Sequence, residues 1–220
     1  HPYIPMNYQN NLHNLSTLAH ELGHAMHSYY AYQEQPYTYA HYKIFTAEVA
    51  STVNECLLMN YLLKTVTDPN KKQYLLNHYL EQFRSTVFRQ TMFAEFEKLI
   101  HARAEEGEAL TPELLSGLYH QLNVDYYGPE IVVDPEIDWE WARIPHFYSS
   151  FYVYKYATGF SAAVSLSEQI LQEGDPAVAR YLNFLKSGGL GYPLDQLKQA
   201  GVDLSTPRPV QEGLKLFASL

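Results

Sequence analysis

Two histidines and a glutamate near the start of the chain have the spacing of a metal-binding motif. His20, Glu21 and His24 lie in the segment HELGH, which fits the pattern H-E-x-x-H. On a helix, residues i and i+4 lie one turn apart on the same face, so both imidazoles can reach one metal ion. The ion typical of this pattern is zinc, and the glutamate can then deprotonate a zinc-bound water. The segment therefore predicts one zinc ion per chain, held by His20 and His24, with Glu21 as general base.

The residues around the motif predict an amphipathic helix from about residue 15 to about residue 32. At ~100° per residue, His20, His24 and His27 share one side of this helix with Glu21. The opposite side is apolar and holds Leu15, Leu18, Leu22, Ala25, Met26 and Tyr29. The motif histidines therefore line the polar face of the helix.

Three small polar or flexible residues carry further information about this helix. Asn14 and Ser16 are candidate N-caps, because their side-chain oxygens can accept from backbone N–H groups of the first turn. Gly23 costs a helix roughly 1 kcal/mol relative to alanine. A glycine between the two predicted ligands indicates that either the substrate or another backbone segment approaches there.

A third metal ligand must come from another segment, because a catalytic zinc site has three protein ligands and one open position. Residues 44–66 predict a second helix, on which Glu48 and Glu55 lie within ~40° of each other, two turns apart. If the two helices pack side by side, Glu48 can bind the metal and Glu55 can hydrogen-bond the outer nitrogen of a ligating histidine. Two solvated glutamates are the alternative explanation, and the neighbouring H-E-x-x-H helix favours the metal site.

Length, charge and cysteine content restrict the class of protein. The 220 residues are 46% hydrophobic, which favours a packed core over disorder. A formal charge of −9 disfavours nucleic acid and anionic membranes as partners, and no apolar run approaches the ~18 residues of a membrane span. The single cysteine, Cys56, excludes an internal disulfide and a Cys-rich structural zinc site. It predicts a buried, unreactive thiol and is compatible with a reducing, cytoplasmic compartment.

The remaining segments predict one mainly α-helical domain without internal repeats. Residues 3–8 look extended and predict a short N-terminal strand that pairs with strands outside the chain. A long third helix is expected over about residues 69–104, an irregular segment over about 126–145, and another helix over about 147–173. We expect residues 1–220 to begin partway through a larger protein.

A histidine and several tyrosines follow the irregular segment. If residues 147–173 form one helix, Tyr148, Tyr152, Tyr156 and Gly159 lie within ~80° of one another. That face would carry phenols and end at a glycine, where a bound peptide can pass close to the backbone. Phenol or imidazole donors stabilise the oxyanion of a tetrahedral intermediate by roughly 3 kcal/mol each. Ordinary packing is the alternative explanation for these tyrosines.

Three collinear blocks resemble the oligoendopeptidase F branch of the thimet oligopeptidase family. They are HELGH with Glu48 following 24 residues after His24, RIPHFYSSFYVYKYATG at 143–159, and SGGLGYPLDQLKQAGVDLSTP at 187–207. The resemblance implies a zinc endopeptidase that cuts short peptides, with a helical zincin-type fold around a deep channel. Members are much longer than this chain, so it implies that residues 1–220 are the C-terminal catalytic domain and that an N-terminal region of the same protein is a partner.

The resemblance also implies roles for individual residues. It assigns oxyanion stabilisation to His146, Tyr148 and Tyr152. The predicted helical face, rather than the resemblance, places Tyr156 and Gly159 against the substrate. The histidine-to-tyrosine spacing is shorter than in the thimet branch, so Tyr154 is kept as a second candidate. A zinc-dependent peptide-binding module without turnover is the alternative function, because a chain without the N-terminal region could bind a peptide without positioning it for cleavage.

Overall fold

Helices are the regular secondary structure of residues 2–220, the part of the chain described by the computed structural model. The α-helices are α1 (Leu12–Glu34), α2 (Tyr37–Ala40), α3 (Ile44–Thr65), α4 (Pro69–Phe83), α5 (Arg89–Glu105), α6 (Pro112–Tyr127), α7 (Tyr154–Glu173), α8 (Asp175–Lys186), α9 (Pro193–Ala200) and α10 (Arg208–Ser219). A π-helical turn, Arg84–Phe88, joins α4 to α5, and two 3₁₀ helices, Pro135–Arg143 and Pro145–Tyr148, precede α7. None of the helices in this range is long and apolar enough to cross a membrane.

The mainly helical fold class is confirmed, but the predicted N-terminal strand is not found in the described residues. Residues 2–9 have no regular secondary structure, and residues 2–220 contain no strand. An isolated strand leaves its backbone hydrogen-bonding groups unpaired. The described part of the chain offers no second strand to pair with, so the segment stays irregular.

The chain packs as two compact units. The first unit comprises Thr158–Leu220 together with the described residues up to Glu81, and the second comprises Gln82–Ala157. The core of the first unit is formed by α3, α7, α8, α9 and the segment after α9, through Val49, Ala50, Val53, Ala162, Ala163, Leu166, Phe184, Leu185, Leu197, Ala200 and Val202. The core of the second unit contains Met92, Phe93, Phe96, Tyr119, Leu122, Ile144 and Val153.

Helix α1 buries its polar side rather than its apolar side. Its buried residues are Ser16, Gly23, His27 and Ala31. Leu22, Met26 and Tyr29, on the apolar side, are each more than 40% exposed. An amphipathic surface helix ordinarily buries its apolar face. Here the face that carries the histidines packs against α3 and α8 instead.

The start of α1 differs from the predicted caps. The helix begins at Leu12, and the side chain of Asn11 is the N-cap, accepting from the backbone N–H of Asn14 at 2.9 Å. Asn14 Oδ1 instead accepts from Gln9 N, and Ser16 lies within the first two turns, where its hydroxyl donates to Glu55. Because Asn11 already caps the helix, the predicted N-cap role of Asn14 and Ser16 is wrong.

Helix α7 is shorter than predicted. It begins at Tyr154 rather than near residue 147. The preceding residues form the 3₁₀ turn Pro145–Tyr148 and a bend in which Phe151 has a positive φ of 54°. A residue in the left-handed region cannot continue a right-handed helix. Tyr148 and Tyr152 therefore do not share a helical face with Tyr156 and Gly159.

Candidate metal centre

Helices α1 and α3 approach each other closely at Gly23. A Cβ atom at this position would lie 2.5 Å from Ser51 Cα and 2.9 Å from the carbonyl oxygen of Ala50. Beside this contact, Asn54 Nδ2 donates to the carbonyl oxygen of Ala19 at 2.7 Å. Of the two explanations for the glycine, the approach of another backbone segment is the correct one.

This packing brings His20, His24 and Glu48 together. One ligand atom from each residue lies within 4.8 Å of the others. The carboxylate of Glu48 lies 3.5 Å from His20 Nε2 through Oε2 and 3.8 Å from His24 Nε2 through Oε1. Two imidazole nitrogens and one carboxylate oxygen form a donor set that suits zinc with one position left open. The three side chains are partly exposed, so a ligand can reach that position.

Groups behind the histidines hold their rings in place. Glu55 Oε1 contacts His20 Nδ1 at 2.7 Å, and the Ser16 hydroxyl donates to Glu55 Oε2 at 2.9 Å. The backbone of Ala47 lies near the ring of His24 and favours its protonated form, which raises the pKa of His24 slightly against the larger lowering by burial. Such outer partners orient a ligating imidazole and select its tautomer. Ser16 could have been identified from the sequence, because it precedes His20 by one helical turn.

The two glutamates make His20 strongly basic. Burial lowers the pKa of His20, but the hydrogen bonds to Glu48 and Glu55 outweigh it and raise the pKa to about 10. The hydrogen bond with His20 in turn lowers the pKa of the Glu48 carboxyl. Burial and the neighbouring His20 lower the pKa of His24. A metal ion that binds here must displace the proton from His20.

Replacing Glu55 by alanine is expected to weaken zinc binding by roughly 10- to 100-fold, because the His20 ring loses the partner that orients it. The change is measured by titrating the purified chain with zinc against a competing chelator. Ser16→Ala is the graded comparison, and its loss should be smaller because Glu55 still reaches His20. Equal zinc affinity for Glu55→Ala and the unmodified chain would exclude this role of Glu55.

A groove runs along α1 beside His24. It has a volume of about 600 Å³ and is lined by Glu21, His24, Ser28, Tyr29 and Tyr32. Tyrosine combines an apolar ring with a hydroxyl group, which suits contact with both the side chains and the backbone of a peptide. Glu21 and His24 thus both lie at the edge of a space large enough for part of a peptide.

In the second unit, His146, Tyr152 and Tyr156 form a cluster. The hydroxyl of Tyr156 lies 3.2 Å from His146 Nε2. The ring centroids lie 5.7 Å apart for His146 and Tyr152, 5.8 Å for His146 and Tyr156, and 5.8 Å for Tyr152 and Tyr156. Tyr148 is 91% exposed and takes no part in this cluster. The tyrosines nearest His146 are therefore those at 152 and 156.

Gly159 lies in a different environment from the one expected. It is buried in the first unit, where an added Cβ would lie 3.5 Å from Phe45 Cε2 and 3.8 Å from Val49 Cγ2. These are ordinary packing distances to the side chains of α3. The expected open backbone beside a bound peptide is not found at this position, because the backbone of Gly159 packs against α3.

The sequence and the fold both match known peptidases. The profile of Peptidase family M3 matches residues 1–216. Oligopeptidase PepF of Bacillus subtilis is 60% identical over 98% of this chain and 32% of its own length. The chromosomal oligoendopeptidase F of Lactococcus lactis is 47% identical over 98% of this chain and 36% of its own length.

The crystal structure of oligoendopeptidase F from Enterococcus faecium superposes with a TM-score of 0.85 at 47% identity, covering 94% of this chain and 38% of that one. The chain thus spans about a third of the length of the curated relatives it matches. The family profile, which covers nearly the whole chain, places it in peptidase family M3, and the oligoendopeptidases F are among the relatives that it resembles.

Proposed function

We propose that this chain is the catalytic part of a zinc-dependent endopeptidase that hydrolyses short peptides. The convergence of His20, His24 and Glu48 on one point carries the proposal, because these donors suit one zinc ion with an open position. Membership of a peptidase family supports peptide bonds as the target. We expect one zinc ion per chain.

The residues of the site have separate roles in this reaction. Zinc held by the three ligands would polarise the scissile carbonyl and lower the pKa of a water molecule. Glu21 accepts a proton from the attacking water and delivers it to the leaving amine. His146 and Tyr152, which contact each other, are the donors that we assign to the oxyanion. The exposed Tyr148 is a third candidate, and Tyr156 is assigned to substrate contact.

Two further parts of the proposal concern the surroundings of the chain. We propose that the N-terminal region of the same protein, corresponding to the part of the relatives outside this match, is a partner of the chain. We also propose that the protein is located in the cytoplasm. The state of Cys56 is compatible with a reducing compartment, because the thiol is buried and burial raises its pKa to about 12. The prediction of a buried, unreactive thiol agrees with this position.

A peptide-binding module without turnover is the second candidate function. It is supported by the convergent donors and by the groove beside them, which would serve binding as well as cleavage. A binding module would take up zinc and peptide but leave the peptide intact. Parallel measurement of peptide binding and peptide cleavage separates the two functions.

The purified chain is expected to contain one zinc ion and to cleave a quenched fluorescent peptide. A chelator should abolish cleavage, and added zinc should restore it. Glu48→Ala removes one of three ligands, so we expect at least a ~100-fold loss of zinc affinity and loss of cleavage. Metal analysis by mass spectrometry and the peptide assay measure both effects.

Glu34→Ala is the matched control for Glu48→Ala. Glu34 is an exposed glutamate of α1 that pairs with Lys186, and its removal should leave zinc content and cleavage unchanged. Metal-independent cleavage, or full zinc occupancy in Glu48→Ala, would contradict the proposed function. Zinc and peptide binding without cleavage would favour the binding module.

A further inference from the structure

Phe151 has a backbone conformation that its side chain disfavours. Its φ is 54°, and it is the non-glycine residue with a positive φ among residues 2–220. A large side chain in the left-handed region costs free energy and persists where other contacts hold it. The residue lies between Tyr148 and Tyr152, in the bend that separates the 3₁₀ turn from α7.

Two residues of α5 hold Phe151 in this conformation. Oε1 of Glu97 accepts a hydrogen bond from the backbone N–H of Phe151 at 2.9 Å. The ring of His101 lies 4.5 Å from the ring of Phe151, and His101 Nδ1 contacts the carbonyl oxygen of Glu97 at 2.8 Å. Both the backbone and the side chain of Phe151 are therefore fixed from the same helix.

Glu97 is an unusual residue for a core position. It is 1% exposed, and its second carboxylate oxygen, Oε2, is buried without a hydrogen-bond partner in the described part of the chain. A buried carboxylate that is only half paired costs free energy relative to an apolar side chain of similar size. Stability alone therefore does not explain why a glutamate occupies this position. The hydrogen bond that Glu97 accepts from Phe151 N does explain it.

The conformation of Phe151 decides where the next side chain points. Tyr152 follows directly and places its ring 5.7 Å from His146 and 5.8 Å from Tyr156. Had residues 147–153 been helical, Tyr152 would instead lie one turn before Tyr156 on a continuous helix. Because Phe151 is left-handed, the helix is interrupted there, and Tyr152 instead clusters with His146 and Tyr156.

We propose that Glu97 is a positioning residue, which holds the peptide group of Phe151 and thereby fixes Tyr152 against His146 and Tyr156. The inference rests on the proposed function to the extent that these side chains serve the oxyanion. Glu97 itself lies behind the bend and acts through Phe151, so it has no direct role in proton transfer or metal binding.

The test compares three changes that separate the carboxylate, the hydrogen bond and the backbone conformation. Glu97→Gln keeps a carbonyl oxygen that can accept from Phe151 N, and Glu97→Leu removes it. Glu97→Leu combined with Phe151→Gly removes the hydrogen bond but lets the backbone adopt φ 54° without strain. Glu95→Leu is the control, because Glu95 lies on the same helix and bonds to the hydroxyl of Tyr126 instead.

Two measurements are made on each purified chain. The NMR signal of the His146 ring, assigned with His146→Gln, reports the ring-current effect of Tyr152 and requires no catalysis. The kcat and KM of the zinc-loaded chain on a quenched fluorescent peptide report the functional consequence. We expect Glu97→Leu to shift the His146 signal and to lower kcat by roughly 10- to 100-fold with little change in KM, because a donor displaced by about 1 Å is poorly placed for the reaction.

Glu97→Gln and the control Glu95→Leu should have the His146 signal and the kcat of the unmodified chain. Adding Phe151→Gly to Glu97→Leu should bring both values back towards those of the unmodified chain. If Glu97→Leu alone does not fold, recovery of the fold and of the His146 signal in the double variant supports the same conclusion. An unchanged His146 signal in a folded Glu97→Leu chain would overturn the inference. A shifted signal in a protein that never cleaves peptide would leave the positioning role intact and contradict the proposed function instead.

Discussion

Peptide cleavage is expected to fall by roughly 10²- to 10⁴-fold when Glu21 is replaced by glutamine, while zinc stays bound. Glutamine has nearly the same shape but cannot accept the proton of the attacking water. Glu21 lies beside His24 on the groove but does not belong to the group of converging ligands. The affinity for zinc should therefore change little, and the fall in peptide cleavage should appear as a lower kcat.

The kcat of the zinc-loaded variant is measured with the fluorescent peptide, and zinc content is determined on the same sample. Glu34→Gln makes the same chemical change elsewhere on α1, at a glutamate paired with Lys186, and should leave kcat unaltered. Undiminished cleavage by Glu21→Gln would remove Glu21 from the mechanism. Loss of zinc together with activity would show instead that Glu21 supports the metal site.

Gly23→Ala is expected to lower stability by about 1–3 kcal/mol and to weaken zinc binding, although alanine favours helices. The added Cβ would lie 2.5 Å from Ser51 Cα, a backbone atom that can move only if α1 and α3 separate. His20 and His24 lie on α1, whereas Glu48 lies on α3. Separating the helices therefore pulls the ligands apart as well as disrupting the packing.

Gly117→Ala provides the matched control for Gly23→Ala. Gly117 also lies in a helix, α6, but an added Cβ there meets no atom within 4 Å. This change should stabilise the chain by up to ~1 kcal/mol through helix propensity alone. Thermal unfolding and zinc titration of both variants measure the effects. If Gly23→Ala has the same thermal stability and zinc affinity as Gly117→Ala, the positions of the predicted ligands do not depend on the close approach of α1 and α3.

The cluster of two histidines and two glutamates could be predicted because each pair lies on one continuous helix. His20 and His24 are one turn apart on α1, and Glu48 and Glu55 are two turns apart on α3. Helical geometry relates such positions with little dependence on the rest of the fold. In the structure, Glu55 Oε1 lies 2.7 Å from His20 Nδ1, which is the contact predicted from the position of Glu55 on the second helix.

The tyrosines could not be predicted in the same way. Their assignment to one face assumed a continuous helix from residue 147, but α7 begins at Tyr154. The interruption at Phe151 depends on Glu97, which is 54 residues away in the chain. Local propensity contains no information about such a contact. Helical periodicity therefore predicts Tyr148 on one face with Tyr152 and Tyr156, whereas its side chain is 91% exposed.

The donor set, its spacing and the helices that carry it follow from residue type and helical periodicity, so they can be read from the amino-acid sequence. The inward orientation of the histidine face of α1 is set by tertiary packing, because it involves the close contact of Gly23 with α3. The tertiary structure also decided that Tyr152, and not Tyr148, lies against His146, because a buried carboxylate on another helix holds the bend between them. Contacts between residues far apart in the chain set both outcomes, and periodicity alone does not encode them.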